Sequence, residues 1–323
     1  MPAGETRRVM DTVAPEAFTL AEAVSDRARA SRASRLALGA IVRYGAGAMR
    51  RTPEYLQWVE RADRYAEPGT TERVYTDLGL CGVRMVEGNY TEGRALALRA
   101  MELARKLEDP EAIYLAAREL LVSACPPEHE EERLRLVREM SSHDQAGVTA
   151  ATLGSWLQWG GLALMDWGDR AGAEAMWEQE GQLAQRTNDA NLLVWSLTAS
   201  PILAYLDGRL DEAVSGAEDI LRTAEDLGAP VMGRQWASLT SWRPLLYLGK
   251  GEEALAALGG AAELAGAETL EVIERQRSLI QAHLGQTAEA REAVQGLVAE
   301  PRFGFEDENL PTFSLALLLE TAI

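Results

Sequence analysis

A short glycine-led motif recurs along this chain and constrains its fold more than any other feature. The motif is Gly, two or three variable residues, and then Glu-Ala or a close equivalent. Its leading glycines follow one another at steps of 80, 40, 41 and 36 residues: Gly88, Gly168, Gly208, Gly249 and Gly285. A regular period of this length indicates an array of stacked structural repeats.

The first step is twice the others and predicts a degenerate repeat near residue 128. Residues 125–130, Cys-Pro-Pro-Glu-His-Glu, supply a helix break followed by an acidic first turn. One further step back reaches residue 48, where two glycines precede Thr-Pro-Glu at positions 52–54. The sequence therefore predicts about seven repeats with a period of about 40 residues.

Each repeat has the pattern of two helices joined by a tight turn. Glycine tolerates the left-handed conformation that ends a first helix, and a polar residue after it can cap the second helix. Proline, glycine or asparagine ends the second helices at residues 108–110, 187–189 and 228–230. Sustained alternation of apolar and polar residues, the signal for strands, is absent. These patterns predict an all-α solenoid.

Two prolines interrupt this scheme, because Pro201 and Pro244 fall inside predicted first helices. Proline lacks a backbone N–H and clashes with the preceding helical turn. We therefore expect each proline to kink its helix or to shift the helix start.

The net charge of −18 over 323 residues argues against duplex nucleic acid as a direct partner. The first 64 residues are nevertheless basic, with 11 Lys and Arg against 8 Asp and Glu. We expect their arginines to form a solvated helix face. The alternative is a docking surface for an acidic neighbour. The arginines concerned are Arg27, Arg29, Arg32, Arg35, Arg43, Arg50 and Arg51.

Cys81 and Cys125 are the only cysteines and form no disulfide framework, which favours a reducing, cytoplasmic setting. We expect both to be buried as small apolar side chains. No apolar run approaches the 18 residues that a membrane span needs, so no membrane association is expected. The N-terminal residues lack the apolar segment of an export signal.

The Gly-x-x-x-Glu-Ala turn and the two-helix unit resemble the tetratricopeptide repeat over residues 30–300. The longer period, together with residues 51–64, 88–90, 95–98 and 104–107, resembles the helical repeat regions of large bacterial regulators. In those proteins a P-loop ATPase precedes the repeats, with a LuxR-type DNA-binding domain or an adenylate or guanylate cyclase domain attached. The resemblance implies one right-handed superhelical domain over residues 1–323, with residues 1–20 open to disorder. It also implies a sensor region that binds a protein, a peptide or a small effector in a concave groove.

Residues 311–323 have the pattern of a first helix without its partner, so we expect the array to be truncated there. The Gly-Lys-Gly sequence at 249–251 lacks the remaining residues of a P-loop. Any ATPase or cyclase domain would therefore be covalently linked in a parent protein.

The residues that commonly carry chemistry are dispersed. The histidines, His129, His143 and His283, lie far apart, and no HExxH, Cys-x-x-Cys or Gly-x-Ser-x-Gly motif occurs. The acidic residues at 128–132 are expected to be a solvated first helical turn. The sequence therefore predicts a non-catalytic protein without metal or cofactor. A helical toroid enzyme is the least favoured alternative.

Seven of the eight tryptophans fall between residues 156 and 242, namely Trp156, Trp159, Trp167, Trp177, Trp195, Trp236 and Trp242. The simpler interpretation is that they fill the core between stacked hairpins. The functional interpretation places some of them on first helices, which line the concave groove of tetratricopeptide arrays. Tryptophan, tyrosine and arginine dominate binding hot spots. The candidate ligand or partner site is therefore Trp159, Trp195, Trp236, Arg243 and Tyr247. A protein–protein scaffold without an effector remains the alternative function.

Overall fold

The structure, a computed structural model, describes residues 3–45, 49–50, 52–123, 129–265, 271–299, 316 and 319–322. The regular secondary structure of these residues is entirely helical. The helices are α1 (Ala3–Arg8), α2 (Ala14–Ala23), α3 (Arg27–Gly45), α4 (Pro53–Tyr65), α5 (Thr71–Val86), α6 (Tyr90–Lys106), α7 (Pro110–Ser123), α8 (Glu130–Ser141), α9 (Ala150–Asp166), α10 (Arg170–Thr187), α11 (Ala190–Ser196), α12 (Ala199–Leu206), α13 (Leu210–Asp226), α14 (Pro230–Tyr247), α15 (Gly251–Ala265), α16 (Glu271–His283) and α17 (Thr287–Ala299).

Within the described residues these helices pair as seven successive hairpins, as the period predicts. The hairpins are α3–α4, α5–α6, α7–α8, α9–α10, α11/α12–α13, α14–α15 and α16–α17. The degenerate repeat expected near residue 128 is the α7–α8 hairpin, whose second helix begins at Glu130 with three acidic residues. The prediction of an all-α repeat solenoid is confirmed.

The recurring glycines end first helices in the left-handed conformation, for the reason that the motif predicts. Their φ angles are +80°, +89°, +75°, +76° and +77° for Gly88, Gly168, Gly208, Gly249 and Gly285. After two of them a side chain caps the next helix. Asn89 accepts a hydrogen bond from the backbone N–H of Glu92, and Asp169 accepts one from that of Gly172.

The described part of the N-terminal segment packs against the first hairpin. Residues 3–23 are helical, with a π-helical turn at Val9–Val13 between α1 and α2. Met10 and Phe18 are buried against α3 and α4. The ring of Phe18 meets that of Trp58 edge-on, with centroids 5.6 Å apart. These apolar side chains complete the core of the first hairpin. Because no repeat motif precedes them, the sequence pattern did not predict this packing.

The two prolines have different effects. Pro201 lies in the first turn of α12, after a break at Leu197 and Thr198 that divides the predicted first helix into α11 and α12. Its helix start is therefore shifted, as expected. Pro244 stays inside the continuous helix α14. Its carbonyl accepts the backbone hydrogen bond of Leu248, which continues the helix to its C-cap.

Several sequence-based expectations fall on residues outside the described part of the chain. Cys125, Arg51 and residues 311–315 belong to this group. Cys81 is buried in α5, as predicted. Residues 319–322, from the segment predicted as an unpartnered first helix, are helical.

Candidate functional site

The first helices of successive hairpins form the inner wall of the array. Helices α3, α5, α7, α9, α11 and α14 contact one another in this order, and α14 also contacts α3. The row of inner helices therefore closes on itself. A salt bridge of 2.6 Å joins Arg43 of α3 to Asp189, which caps α11. The side-chain amide of Asn191 donates a hydrogen bond of 2.8 Å to the carbonyl of Arg43.

Three of the predicted site residues meet on this inner wall. Trp159 lies on α9, Trp195 on α11 and Trp236 on α14. The ring centroids of Trp159 and Trp236 are 6.2 Å apart with an interplanar angle of 54°. Trp159 and Trp195 both pack against the apolar cluster that contains Trp236. We call these three residues the tryptophan cluster. The sequence placed its members 36 to 77 residues apart, and the stacking of inner helices brings them together.

The tryptophan cluster holds hydrogen-bond donors without acceptors. The indole Nε1 atoms of Trp195 and Trp236 are buried and have no hydrogen-bond partner among the described residues. Buried polar atoms without a partner are uncommon in folded proteins, and the described residues contain several others besides these two. Trp236 is 6% exposed, so water outside the protein has little access to its donor. The same helices carry two buried side-chain acceptors without donors, Oε1 of Gln158 on α9 and of Gln235 on α14.

The other two predicted residues form a separate group near the C-terminal end of α14. Tyr247 stacks on Tyr205 of α12, with centroids 6.2 Å apart and an interplanar angle of 23°. The Arg243 guanidinium pairs with Glu320 at 3.0 Å and lies 5.1 Å from the ring centroid of Trp242. Tyr247 is half exposed. The five predicted site residues therefore lie in two separate groups in the structure. The sequence analysis missed Tyr205 and Glu320 because neither belongs to a distinguishing sequence pattern.

The remaining tryptophans divide between core and surface. Trp156 and Trp177 are buried in the largest apolar cluster, and the indole of Trp177 donates to the carbonyl of Gln158 at 3.3 Å. Trp242 is buried in the cluster of the later hairpins. Trp167, at the C-terminal end of α9, is 43% exposed. Core packing is therefore the role of Trp156, Trp177 and Trp242.

The N-terminal arginines only partly form the solvated face expected from the sequence. Arg27, Arg29 and Arg32 are exposed, whereas Arg35 and Arg43 are partly buried and Arg50 is buried. Arg50 makes a bidentate salt bridge to buried Glu119 of α7, with distances of 2.7 and 2.9 Å. Arg35 stacks on the ring of Tyr75 at 4.7 Å, and Arg43 pairs with Asp189. Their partners lie up to 146 residues away, which no local pattern reveals. These three side chains hold the first hairpin against later ones.

Glu119 is the shared anion of a buried charge network. Arg118 also contacts it, at 2.9 Å, and the thiol of Cys81 lies 3.9 Å from it. Burial on its own would raise the pKa of Glu119, but the charges of Arg118 and Arg50 and the hydrogen bond from Arg50 lower that pKa to about 2. The network is therefore charged at neutral pH and joins the first hairpin to the second and third.

Two further kinds of functional feature are absent from the described residues. No group of three or more His, Cys, Asp and Glu side chains there is placed to hold a metal ion. Among the described helices, none has both the length and the apolar composition that a bilayer crossing requires.

Comparisons with known proteins support the fold. No model of a known protein family matches the sequence, and no curated protein sequence matches it. A solved structure of a Rap protein complexed with competence and sporulation factor is similar to this chain, with a TM-score of 0.59 at 13% sequence identity. The similarity covers 99% of this chain and 100% of that one. At this identity it establishes the helical-repeat fold.

Proposed function

We propose that this chain is a non-catalytic, cytoplasmic helical-repeat receptor that binds an extended peptide segment at the tryptophan cluster. One observation carries the proposal: the unpartnered indole N–H groups of Trp195 and Trp236 on the inner wall. A peptide offers a carbonyl acceptor at every residue, and apolar side chains of the same ligand would pack on the indole rings. Because both donors are buried in the free chain, such a ligand pairs with them only after the side chains that cover them move aside.

The structural neighbour supports this class of ligand. The Rap protein was solved with competence and sporulation factor bound, and its fold matches this chain over nearly the whole length of both. A plain scaffold that uses only its outer surface has no need of unpartnered donors on its inner wall. We therefore favour the receptor over the scaffold.

The regulatory part of the proposal rests on the resemblance of the repeats to those of large bacterial regulators. Ligand binding at the inner wall would change how successive hairpins stack, because each repeat contacts mainly its neighbours. The closed ring of inner helices extends such a change to α3, which contacts α14. A linked ATPase or cyclase domain would be the recipient of this change.

The proposal is tested by selecting binders from a random library of displayed decapeptides and measuring their affinity by isothermal titration calorimetry. Trp195→Phe and Trp236→Phe each keep an aromatic ring and remove the indole donor. A neutral hydrogen bond contributes roughly 0.5–1.5 kcal/mol, so each variant is expected to bind about 2- to 13-fold more weakly.

Trp167→Phe is the matched control, because Trp167 is exposed and lies outside the tryptophan cluster. It should bind the selected peptides like the wild type. Circular dichroism establishes that all three variants are folded. If no peptide is enriched, or if both cluster variants bind as tightly as the control, the proposal is wrong.

A further inference from the structure

A cleft lies between the second helices α6 and α8, remote from the tryptophan cluster. Its volume is about 290 Å³, close to the lower end of the range of small-molecule pockets. The apolar part of its wall consists of Leu98, Met101, Leu120 and Leu136. Salt bridges from Arg94 to Glu132 and from Arg105 to Glu139 connect the two helices that border it. The cleft thus combines an apolar wall with charged side chains, and ion pairs connect the helices on its two sides.

Arg133 of α8 provides a poorly matched charge in this cleft. It lines the cleft and is 8% exposed. Its salt bridge to Asp166 is long, at 3.4 Å, and its buried Nε has no hydrogen-bond partner among the described residues. A guanidinium has five N–H donors in a fixed fork, so Arg133 keeps donors for a further acceptor. Burying a charge that is only weakly paired is unfavourable, and a bound anion would relieve this.

Arg94 and Arg105 also line the cleft, and the Nε of Arg94, like that of Arg133, is buried without a hydrogen-bond partner among the described residues. Arg94 and Arg105 are paired with Glu132 and Glu139, and these pairs leave no net charge. Arg135, which is exposed, adds a further cation, and its Nε donates to the carbonyl of Glu131 at 3.3 Å. Near Arg133 the cleft therefore has a positive excess beside an aliphatic wall.

We propose that this cleft binds a small amphipathic carboxylate, such as a short fatty acid. Its carboxylate would pair with the guanidinium fork of Arg133, the geometry in which Arg–carboxylate pairs are strongest. Its alkyl chain would cover the exposed side of Leu98 and the half-buried Leu136. A polar anion would leave these leucines wet, and a neutral lipid would leave Arg133 without an acceptor. This site is independent of the proposed peptide site.

The test titrates the full chain with octanoate and follows the methyl group of Met101 by ¹H–¹³C NMR. Octanoate should shift the Met101 signal with saturation, while the methyl signal of Met176, buried under α9, stays in place. Acetate, which lacks the chain, and 1-octanol, which lacks the charge, should each bind at least tenfold more weakly.

Arg133→Met should weaken octanoate binding by about tenfold or more, because a hydrogen-bonded charge pair is lost. Arg138→Met, on an exposed side of the same helix, is the matched control and should bind like the wild type. If Arg133→Met fails to fold, Leu98→Gln tests the apolar wall instead, because Leu98 is 37% exposed and should tolerate it. Leu98→Gln should also weaken octanoate binding.

Three results would overturn the proposal. These are no Met101 shift at millimolar octanoate, equal binding of octanoate and 1-octanol, or octanoate binding that neither Arg133→Met nor Leu98→Gln weakens. Peptide binding by the same protein sample is measured in parallel, so a failure here is separable from a failure of the inner-wall site.

Discussion

Two buried glutamates illustrate how the surroundings of a single residue decide its effect on stability. Glu119 accepts two hydrogen bonds from Arg50 and contacts Arg118. Glu180 on α10 is equally buried, but neither of its carboxylate oxygens has a hydrogen-bond partner among the described residues. Burial raises the pKa of Glu180 well above its usual value, while the arginines lower that of Glu119. The two residues should therefore respond in opposite ways to substitution and to pH.

Glu119→Gln should destabilise the protein. It removes the anion that Arg50 and Arg118 share, and leaving a buried charge without its partner costs roughly 3 kcal/mol or more. The free energy of unfolding from urea titration at pH 7 measures this loss. Glu108→Gln, at an exposed turn position, should have little effect.

The pH dependence gives an independent check of the same contact. The folded pKa of about 2 is lower than the value near 4.3 expected in the unfolded chain. The contribution of Glu119 is therefore fully present above about pH 4.3 and is lost as the pH falls towards 2. The stability difference between the wild type and Glu119→Gln should shrink over this interval. A difference that stays constant would mean that the carboxylate is not what stabilises the network.

Glu180→Met should have the opposite effect and stabilise the protein at pH 7. The substitution removes a buried polar group without partners, which corresponds to roughly 1–3 kcal/mol. Because the folded pKa is raised, the wild type loses stability as the pH rises above the unfolded value, and the gain should be smaller at pH 4. Glu178→Met, exposed on the same helix, is the control. Thermal unfolding at pH 7 and at pH 4 measures the stability difference between the variant and the wild type. A Glu180→Met variant less stable than the wild type would show that the carboxyl has a structural partner.

At the scale of single elements, the turn glycines show what sequence reasoning could reach. A left-handed residue is needed to end each first helix, and glycine adopts that conformation without strain, so motif and structure agree at Gly88 and Gly208. The break before Pro201 was equally accessible, because proline disfavours a helical conformation in the residue that precedes it. The uninterrupted helix at Pro244 could not be predicted from the sequence, because packing against both neighbouring helices outweighs the local penalty of proline.

Two glycine substitutions test the turn argument. Gly208→Ala meets no atom within 4 Å and should cost about 1 kcal/mol from left-handed strain alone. Gly181 also has open space around it but lies inside helix α10, so Gly181→Ala should stabilise by about 0.5–1 kcal/mol. Urea unfolding of both variants measures whether each substitution lowers or raises the free energy of unfolding. Stabilisation by Gly208→Ala would contradict the role of the motif.

For the whole molecule, the closed ring of inner helices was not predictable from the sequence. Closure depends on the curvature accumulated over several hairpins, and no local pattern encodes that sum. The salt bridge of Arg43 with Asp189 spans 146 residues, and that of Arg50 with Glu119 spans 69. The sequence predicted Trp159, Trp195 and Trp236 as candidate site residues from their position on first helices. It could not show that α3 is packed against the same wall.

The double substitution Arg43→Gln with Asn191→Ala tests the ring closure, because it removes the salt bridge and the hydrogen bond between α3 and α11. Backbone amides near the C-terminal end of α3 and in α11 should exchange faster with solvent, while those of α6 should keep their rates. Hydrogen–deuterium exchange with mass spectrometry measures both. Arg29→Gln removes an exposed pair with Asp26 and serves as the control. Unchanged exchange in α11 would show that these contacts do not hold the ring closed.

The central claim, that the inner wall binds a peptide through its tryptophan cluster, is tested most directly on the indole groups themselves. A ¹H–¹⁵N spectrum resolves the indole N–H of each tryptophan, and a selected decapeptide is added to saturation. We predict downfield shifts for Trp195 and Trp236, whose donors gain an acceptor, and an unchanged signal for exposed Trp167. Saturable binding that leaves the indole signals of Trp195 and Trp236 in place would contradict the account.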